Sequence, residues 1–379
     1  MHMPHSPTRR TFWALAAFYG LIAFEFFYMA SPFALYFYSV YAPGLSFINH
    51  NRLLAWLSST FLPHFAVTSA GPLNRLAWLG TGLFLLGLLG FCLGAGQVYY
   101  HKLARKGAVT GGIYRSIRHP QYAALALSSF GLLLLWPRFI VLLSFVSMLF
   151  AYYFLARLEE RECAAKFGPT YQDYCRRTGM FLPWRIPALS RWPARLPALP
   201  RRGLARAAAL GGLWLAACGL ALGLAAGLQQ WTLASLYTRT TPEAVYLSVA
   251  PLEPARMDQL IALAMADPQV RRRVDPAGGP GLNYILPLSW YDAEIPMHPL
   301  PGQRGHAHPA GYSPTQYRLV FTRASLPPWT QPVGRDILRH VQARTPLLEV
   351  VVDLEQGRVV SLQAPIETPP YAGIPVPVY

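Results

Sequence analysis

Two short stretches gather ionisable and aromatic side chains beside long apolar runs. The first is Gly112-Ile113-Tyr114-Arg115-Ser116-Ile117-Arg118-His119-Pro120-Gln121-Tyr122. The second is Glu159-Glu160-Arg161-Glu162-Cys163-Ala164-Ala165-Lys166-Phe167-Gly168-Pro169-Thr170-Tyr171-Gln172-Asp173-Tyr174. Between them they offer a guanidinium, an imidazole, paired carboxylates and several phenols. Carboxylates bind ammonium and hydroxyl groups, a guanidinium binds a carboxylate, and aromatic rings stack on flat heterocycles or face a cation. That set suits a zwitterionic ligand carrying a ring and a positive centre.

The elements that must position these residues are membrane helices. Of the 379 residues 53% are hydrophobic and only 13% charged, too apolar for an ordinary soluble chain of this size. Crossing about 30 Å of hydrocarbon takes roughly 20 apolar residues. Residues 12–41, with a kink expected at Pro32, and 76–98 meet that length. Residues 122–136 and 139–156 read as a helical hairpin broken at Pro137-Arg138, its first arm short, and 207–228 as a further span. The expected fold class is an all-α polytopic bundle of about five spans with an α+β domain appended. The hairpin returns the chain to the face it left, so both chemical stretches meet there.

The net charge of +16 belongs to the membrane half: 21 Lys and Arg precede Gln230 against five acids, whereas 12 Arg and 12 acids follow it. With a cytoplasmic N-terminus every one of the 21 except Arg52, Arg75 and Arg138 falls on the cytoplasmic side, as the positive-inside rule requires. The basic residues sit in short loops with no interleaved aromatic platform, which argues against a nucleic-acid partner. Arg9-Arg10 precedes a run too long for an export signal and reads as an anchor. Glu25, inside the first span, is a costly charge. Four cysteines form no disulfide framework or metal pattern.

Residues 41–76 read as an interfacial segment, and 183–202, rich in Pro, Arg and Trp, as a surface connector. Gly219, Gly223 and Gly227 allow close helix approach, within the bundle or in a homo-oligomer. The expected domains are 1–200, the added helix 201–230, and an extracytoplasmic α+β domain 231–379. In it, 244–249 and 316–322 are predicted strands, 256–265 and 335–343 helices, and 348–362 a hairpin about Glu355-Gln356-Gly357. His298, His306 and His308 lack ligand spacing on a regular element and read as a surface loop, with no metal site expected.

Singly, each chemical residue has a plain structural reading. Arg118 and His119 serve as membrane anchors, Pro120 as a first helical residue, Tyr122 as an interfacial aromatic, and Glu159, Glu160 and Glu162 as a solvated face. Jointly, at this spacing, they read as a site. A sulfonium nucleoside amino acid, S-adenosylmethionine, is the ligand whose parts match Tyr114, Arg118, His119, Tyr122, Glu159, Glu160, Tyr171 and Tyr174.

The pattern G-x-Y-x-x-x-R-H-P-x-Y, followed by E-E-x(6)-F-G-x-x-Y-x-x-Y, resembles the isoprenylcysteine carboxyl methyltransferases and the related phospholipid methyltransferases, over roughly 76–183. The resemblance implies an S-adenosylmethionine pocket entered from the cytoplasm, with a lateral opening for a lipophilic substrate. It implies cofactor contacts at Arg118, His119, Pro120, Tyr122, Glu159 and Glu160, and a small-residue contact near Gly94 and Gly96. Arg118 is expected to orient a substrate carboxylate, and Glu159 or Glu160 to accept a proton from an amine, so these three are the expected catalytic residues. One position departs from the family: after R-H-P-x-Y a Gly is usual, and Ala124 stands here, its methyl either tolerated or narrowing the site. A membrane sterol reductase using NADPH and a non-catalytic scaffold displaying the outer domain are the alternatives, and the twin glutamates favour methyl transfer.

Overall fold

The computed structural model describes residues 13, 16, 20, 35–104, 109–182, 203–274 and 278–379. Most of the expected first span, including Glu25 and Pro32, and the connector 183–202 lie outside the described residues. The longer helices are α1 (Leu35–Asn49), α2 (Leu76–Leu103), α3 (Pro120–Leu135), α4 (Phe139–Arg177), α5 (Leu204–Ser235), α6 (Pro254–Ala266) and α7 (Pro268–Val274). The strands are β1 (Thr238–Thr240), β2 (Ala244–Ser248), β3 (Gly281–Pro287), β4 (Tyr291–Asp292), β5 (His306–Ala307), β6 (Gln316–Ser325), β7 (Ala343–Asp353) and β8 (Arg358–Gln363). The chain divides into two compact units, one of residues 1–30, 77–136 and 141–224, the other of 31–76, 137–140 and 225–379.

Among the described residues three helical stretches are long and apolar enough to cross a membrane: Gly71–His101, Phe139–Arg177 and Ala207–Ser235. Of the five expected spans these three stretches cover 76–98, the second arm of the hairpin and 207–228, while the first, 12–41, falls mostly outside the described residues. The first arm of the hairpin, α3, has 16 residues and rises only about 24 Å at ~1.5 Å per residue, short of the hydrocarbon thickness. Large apolar side chains on α2 (Trp78, Leu85, Leu89, Leu93) and α5 (Leu213, Leu220, Leu224) are exposed. A helix apolar all round, with its leucines outward, is suited to lipid rather than water.

In the first unit α2 and α3 meet backbone to backbone. A Cβ at Gly87 would lie 2.4 Å from the Ser128 nitrogen, and one at Gly131 2.4 Å from the Phe84 nitrogen. Ser128 Oγ donates to the Phe84 carbonyl at 3.2 Å, a tie of the kind that small polar residues supply inside membranes. Helix α4 runs well past the apolar stretch 139–156, so the charged residues from Arg157 onward ride on the same rod. It is broken at Gly168, whose φ of 56° only glycine adopts freely, and Pro169 begins the next turn.

The second unit is built on a six-stranded sheet in the order β1-β2-β3-β6-β7-β8. Strands β2 and β3 are parallel and joined through α6 and α7; the other pairs are antiparallel. Strand alternation sends Ala244, Tyr246, Ile285 and Phe321 to one face, with Met257, Leu260 and Val270 of the helices. Val245, Leu247, Tyr284 and Val320 go to the other, where Phe65, Ala66, Trp290 and Ile295 cover them.

Part of the segment 41–76 docks into this core through Phe65, Ala66 and Val67: Val67 N donates to Val249 O at 2.9 Å and His64 N to Tyr379 O at 2.9 Å. Arg138, one of the three basic residues that the positive-inside count left off the cytoplasmic side, is buried and donates to the carbonyls of Ser58 and Pro375, both at 2.6 Å. The helix expected at 335–343 shrinks to Ile337–His340 after a 3-10 turn, because β7 starts at Ala343 to pair along β6. Strand β3, bounded by Pro280 and Pro287, escaped the pattern reading although it is central.

The glycine stripe of α5 makes no such close approach: no described atom lies within 4 Å of where a Cβ would stand at Gly219, Gly223 or Gly227. Substituting Gly87→Val should therefore lower the thermal midpoint of the detergent-solubilised protein sharply, since about 1–3 kcal/mol or more is lost on overpacking. Gly219→Val should leave the midpoint of the monomer within error. Equal effects at the two positions would contradict the packing described for α2 and α3.

Candidate active site

The first chemical stretch begins with a tight turn. Gly112 has φ 58°, where a side chain is strained, and a Cβ there would lie 1.7 Å from Gln97 Nε2 and displace that side chain. Gln97 Oε1 in turn accepts from Ile113 N at 3.3 Å, pinning the turn to α2. The chain then runs through the 3-10 turn Gly112–Arg115 to Pro120, which opens α3.

The end of α4 is sewn to this loop by backbone. Arg118 N donates to Gly179 O at 2.8 Å, His119 N to Met180 O at 3.1 Å, and Gly179 N to Ser116 O at 3.2 Å. Side chains complete the junction. Arg118 Nε donates to Glu160 Oε1 at 2.6 Å, while its Nη1 donates to the carbonyls of Cys175, at 2.9 Å, and Thr178. Tyr174 Oη donates to Tyr114 O at 2.6 Å. The two stretches, about 40 residues apart along the chain, are thus brought into direct contact.

The twin acids divide their work. Glu160 Oε1 holds Arg118 and its Oε2 lies 3.3 Å from Arg157 Nη1, with the carboxylate largely buried. Glu159 is 45% exposed; it accepts a hydrogen bond from Tyr122 Oη and lies 3.3 Å from His119 Nδ1. The His119 Nε2 is buried, 3.6 Å from Glu160 Oε1 and without a hydrogen bond among the described residues. Its ring stacks on Tyr122, which stacks in turn on Tyr152. Burial alone would lower the pKa of His119, but the nearby carboxylates of Glu159 and Glu160 outweigh it and raise the value.

A cavity of about 690 Å³ opens at this junction. It is lined by Tyr114, Arg118, His119, Tyr122, Glu159, Tyr171 and Tyr174 of the expected residues. Glu160, Pro120, Gly94 and Gly96 do not line it. Glu160 acts from behind through Arg118, and Pro120 is buried as the first residue of α3. A Cβ at Gly94 would come within 2.9 Å of Gln121 Cγ and 3.2 Å of Ile113 Cδ1, so that glycine makes room for the loop. Gly96 faces nothing within 4 Å.

Ala124 is buried against α2, 3.3 Å from where a Cβ at Gly90 would stand, and its methyl does not reach the cavity lining. The pattern reading gave no site role to Glu162, Cys163, Lys166 and Phe167, which line the cavity with Glu159. Their offsets of three, four, seven and eight from Glu159 mark one face of a helix, and that spacing was the available signal.

No curated protein and no solved structure matches the chain. The family model that does match is that of phospholipid methyltransferase, over residues 77–170, a stretch that takes in α2, α3 and the part of α4 bearing the twin acids. That match implies a membrane methyltransferase built on α2 and the α3–α4 hairpin.

Proposed function

We propose that the chain is an integral membrane methyltransferase that uses S-adenosylmethionine to methylate a carboxylate, amine or hydroxyl of a lipophilic, isoprenoid- or phospholipid-like substrate. The observation that carries this reading is the closure of the Arg118-His119 corner onto Glu159 and Glu160 around one cavity. Its volume falls in the range of small-molecule sites, and it adjoins helices whose apolar faces are open to lipid.

The residues present fit the cofactor. Glu159 is a half-exposed carboxylate for an ammonium or ribose hydroxyls. With Nε and Nη1 of Arg118 engaged in the fold, Nη2, which has no hydrogen bond among the described residues, is available to a ligand carboxylate. Tyr114, Phe167, Tyr171 and Tyr174 supply rings for an adenine or a cationic centre, and His119 Nε2 supplies a buried polar atom without a hydrogen bond. When bound, S-adenosylmethionine supplies a methyl group already activated by its sulfonium.

The chain's own work is then positioning and exclusion of water. Glu159 is placed to take a proton from an amine or hydroxyl nucleophile. Glu160 is a positioning residue: it fixes the guanidinium that shapes one wall. A reductase reading has less support, since the matching family is one of methyltransferases. In this reading residues 1–200 form the enzyme and 201–230 an added helix, with 231–379 as an appended extracytoplasmic domain. The N-terminus and the site face the cytoplasm.

Membranes incubated with methyl-labelled S-adenosylmethionine should transfer label to an extractable lipid. Glu159→Gln should reduce that transfer about 100-fold, a loss of ~2.7 kcal/mol in transition-state stabilisation. Label in protein alone, or undiminished transfer by the variant, would contradict the reading.

The charge state of His119 gives an independent check. Because its folded pKa is raised, its contribution to stability is complete below about pH 6.5 and is lost as pH rises through the elevated value. The thermal midpoint of the wild-type protein should fall over that interval, and His119→Gln should flatten the fall. The same slope in both proteins would rule out an imidazolium held by the twin acids.

A further inference from the structure

We propose that His64, Glu294 and His306 bind a divalent transition-metal ion, zinc in the first instance, at a site in the sheet-containing unit distinct from the methyl-transfer cavity. One ligand atom from each of the three lies within 4.8 Å of the others. Glu294 Oε1 stands 3.6 Å from His64 Nε2 and 3.6 Å from His306 Nε2. Those separations are too long for hydrogen bonds. They are close to the ~3.4 Å edge of a tetrahedron whose ligands sit about 2.1 Å from zinc. The Glu294 side chain is only 4% exposed, and its Oε2 is buried without a hydrogen-bond partner among the described residues.

The surroundings are those of a built site. Strand pairing sets Asp292 opposite His306. The fully buried Asp292 carboxylate lies 2.8 Å from His306 Nδ1, which leaves Nε2 as the nitrogen turned to Glu294. A carboxylate on the far nitrogen of a histidine fixes its tautomer and orientation for a metal. Asp292 is itself held by His308 Nε2 at 2.9 Å, and the His308 ring stacks on Trp290 with centroids 4.2 Å apart. His64 comes from a loop anchored by its own backbone bond to Tyr379, beside Phe65 in the core. Two imidazoles and one carboxylate form a three-ligand set of the type that leaves a coordination position open. Glu294 also borders a separate cavity of about 400 Å³, lined in addition by Arg344 and Tyr371.

The test is titration of the chelator-treated, detergent-solubilised full chain with zinc alone, in competition with a chromophoric chelator. One ion per chain is expected, with affinity reduced at least about 100-fold in His306→Ala and about 10–100-fold in Asp292→Asn. His298→Ala, whose partner is Glu349, should match the wild type. Cobalt(II) should give intense visible bands of tetrahedral coordination in the wild type and lose them in His306→Ala. The His306 side chain is 41% exposed, so this variant should keep its metal-free circular dichroism spectrum. No stoichiometric zinc in the wild type, or unaltered affinity in His306→Ala, would overturn the proposal. The readout involves no methyl transfer and is independent of that activity.

Discussion

The candidate site depends on one charged contact. The Arg118 guanidinium binds Glu160 and the carbonyls of Cys175 and Thr178, and so ties the loop before α3 to the last turns of α4. Both side chains are nearly buried, at 13% and 11% exposure, so neither charge could remain there without its partner. Burying an ion pair adds little net stability, but breaking one is costly. The contact therefore specifies a geometry more than it strengthens the fold. With it in place, Tyr174 reaches the Tyr114 carbonyl, His119 lies between the twin acids, and the cavity has its wall.

Much of this was legible in the sequence because lipid imposes a simple code. Apolar length located α2 and α5, and Pro137 located the hairpin bend. The code was silent on α4 beyond residue 156, where charged residues keep the helix going without the apolar signal. The residue types of the site could be read, but not the division of labour between neighbours. Glu159 and Glu160 point about 100° apart on a helix, and only the rotation fixed by packing decides which meets the cavity. Gly94 and Gly96 differ for the same reason: one faces the motif loop and the other faces open space.

In the second unit the pattern of β-branched residues found β2, β6 and the β7–β8 hairpin, whereas β3 was hidden by its flanking prolines. The larger omission was non-local. Nothing in the sequence links His64 to Glu294 and His306, which lie more than 200 positions further along the chain. Only the docking of 59–70 against the sheet and the β4–β5 pairing bring them together. A polar segment between two membrane runs reads as interfacial when its partners lie at the other end of the chain.

The central claim is that the Arg118–Glu160 contact builds the cofactor pocket, and a double-mutant cycle on S-adenosylmethionine affinity tests it most directly. Calorimetric dissociation constants would be measured for the wild type, Arg118→Ala, Glu160→Ala and the double variant. The account predicts strong coupling, with the second substitution costing little once the first is made and a coupling energy above about 1 kcal/mol. Losses that add to within ~0.5 kcal/mol would show that the two residues act independently, and a wild type without affinity for S-adenosylmethionine would contradict the pocket itself.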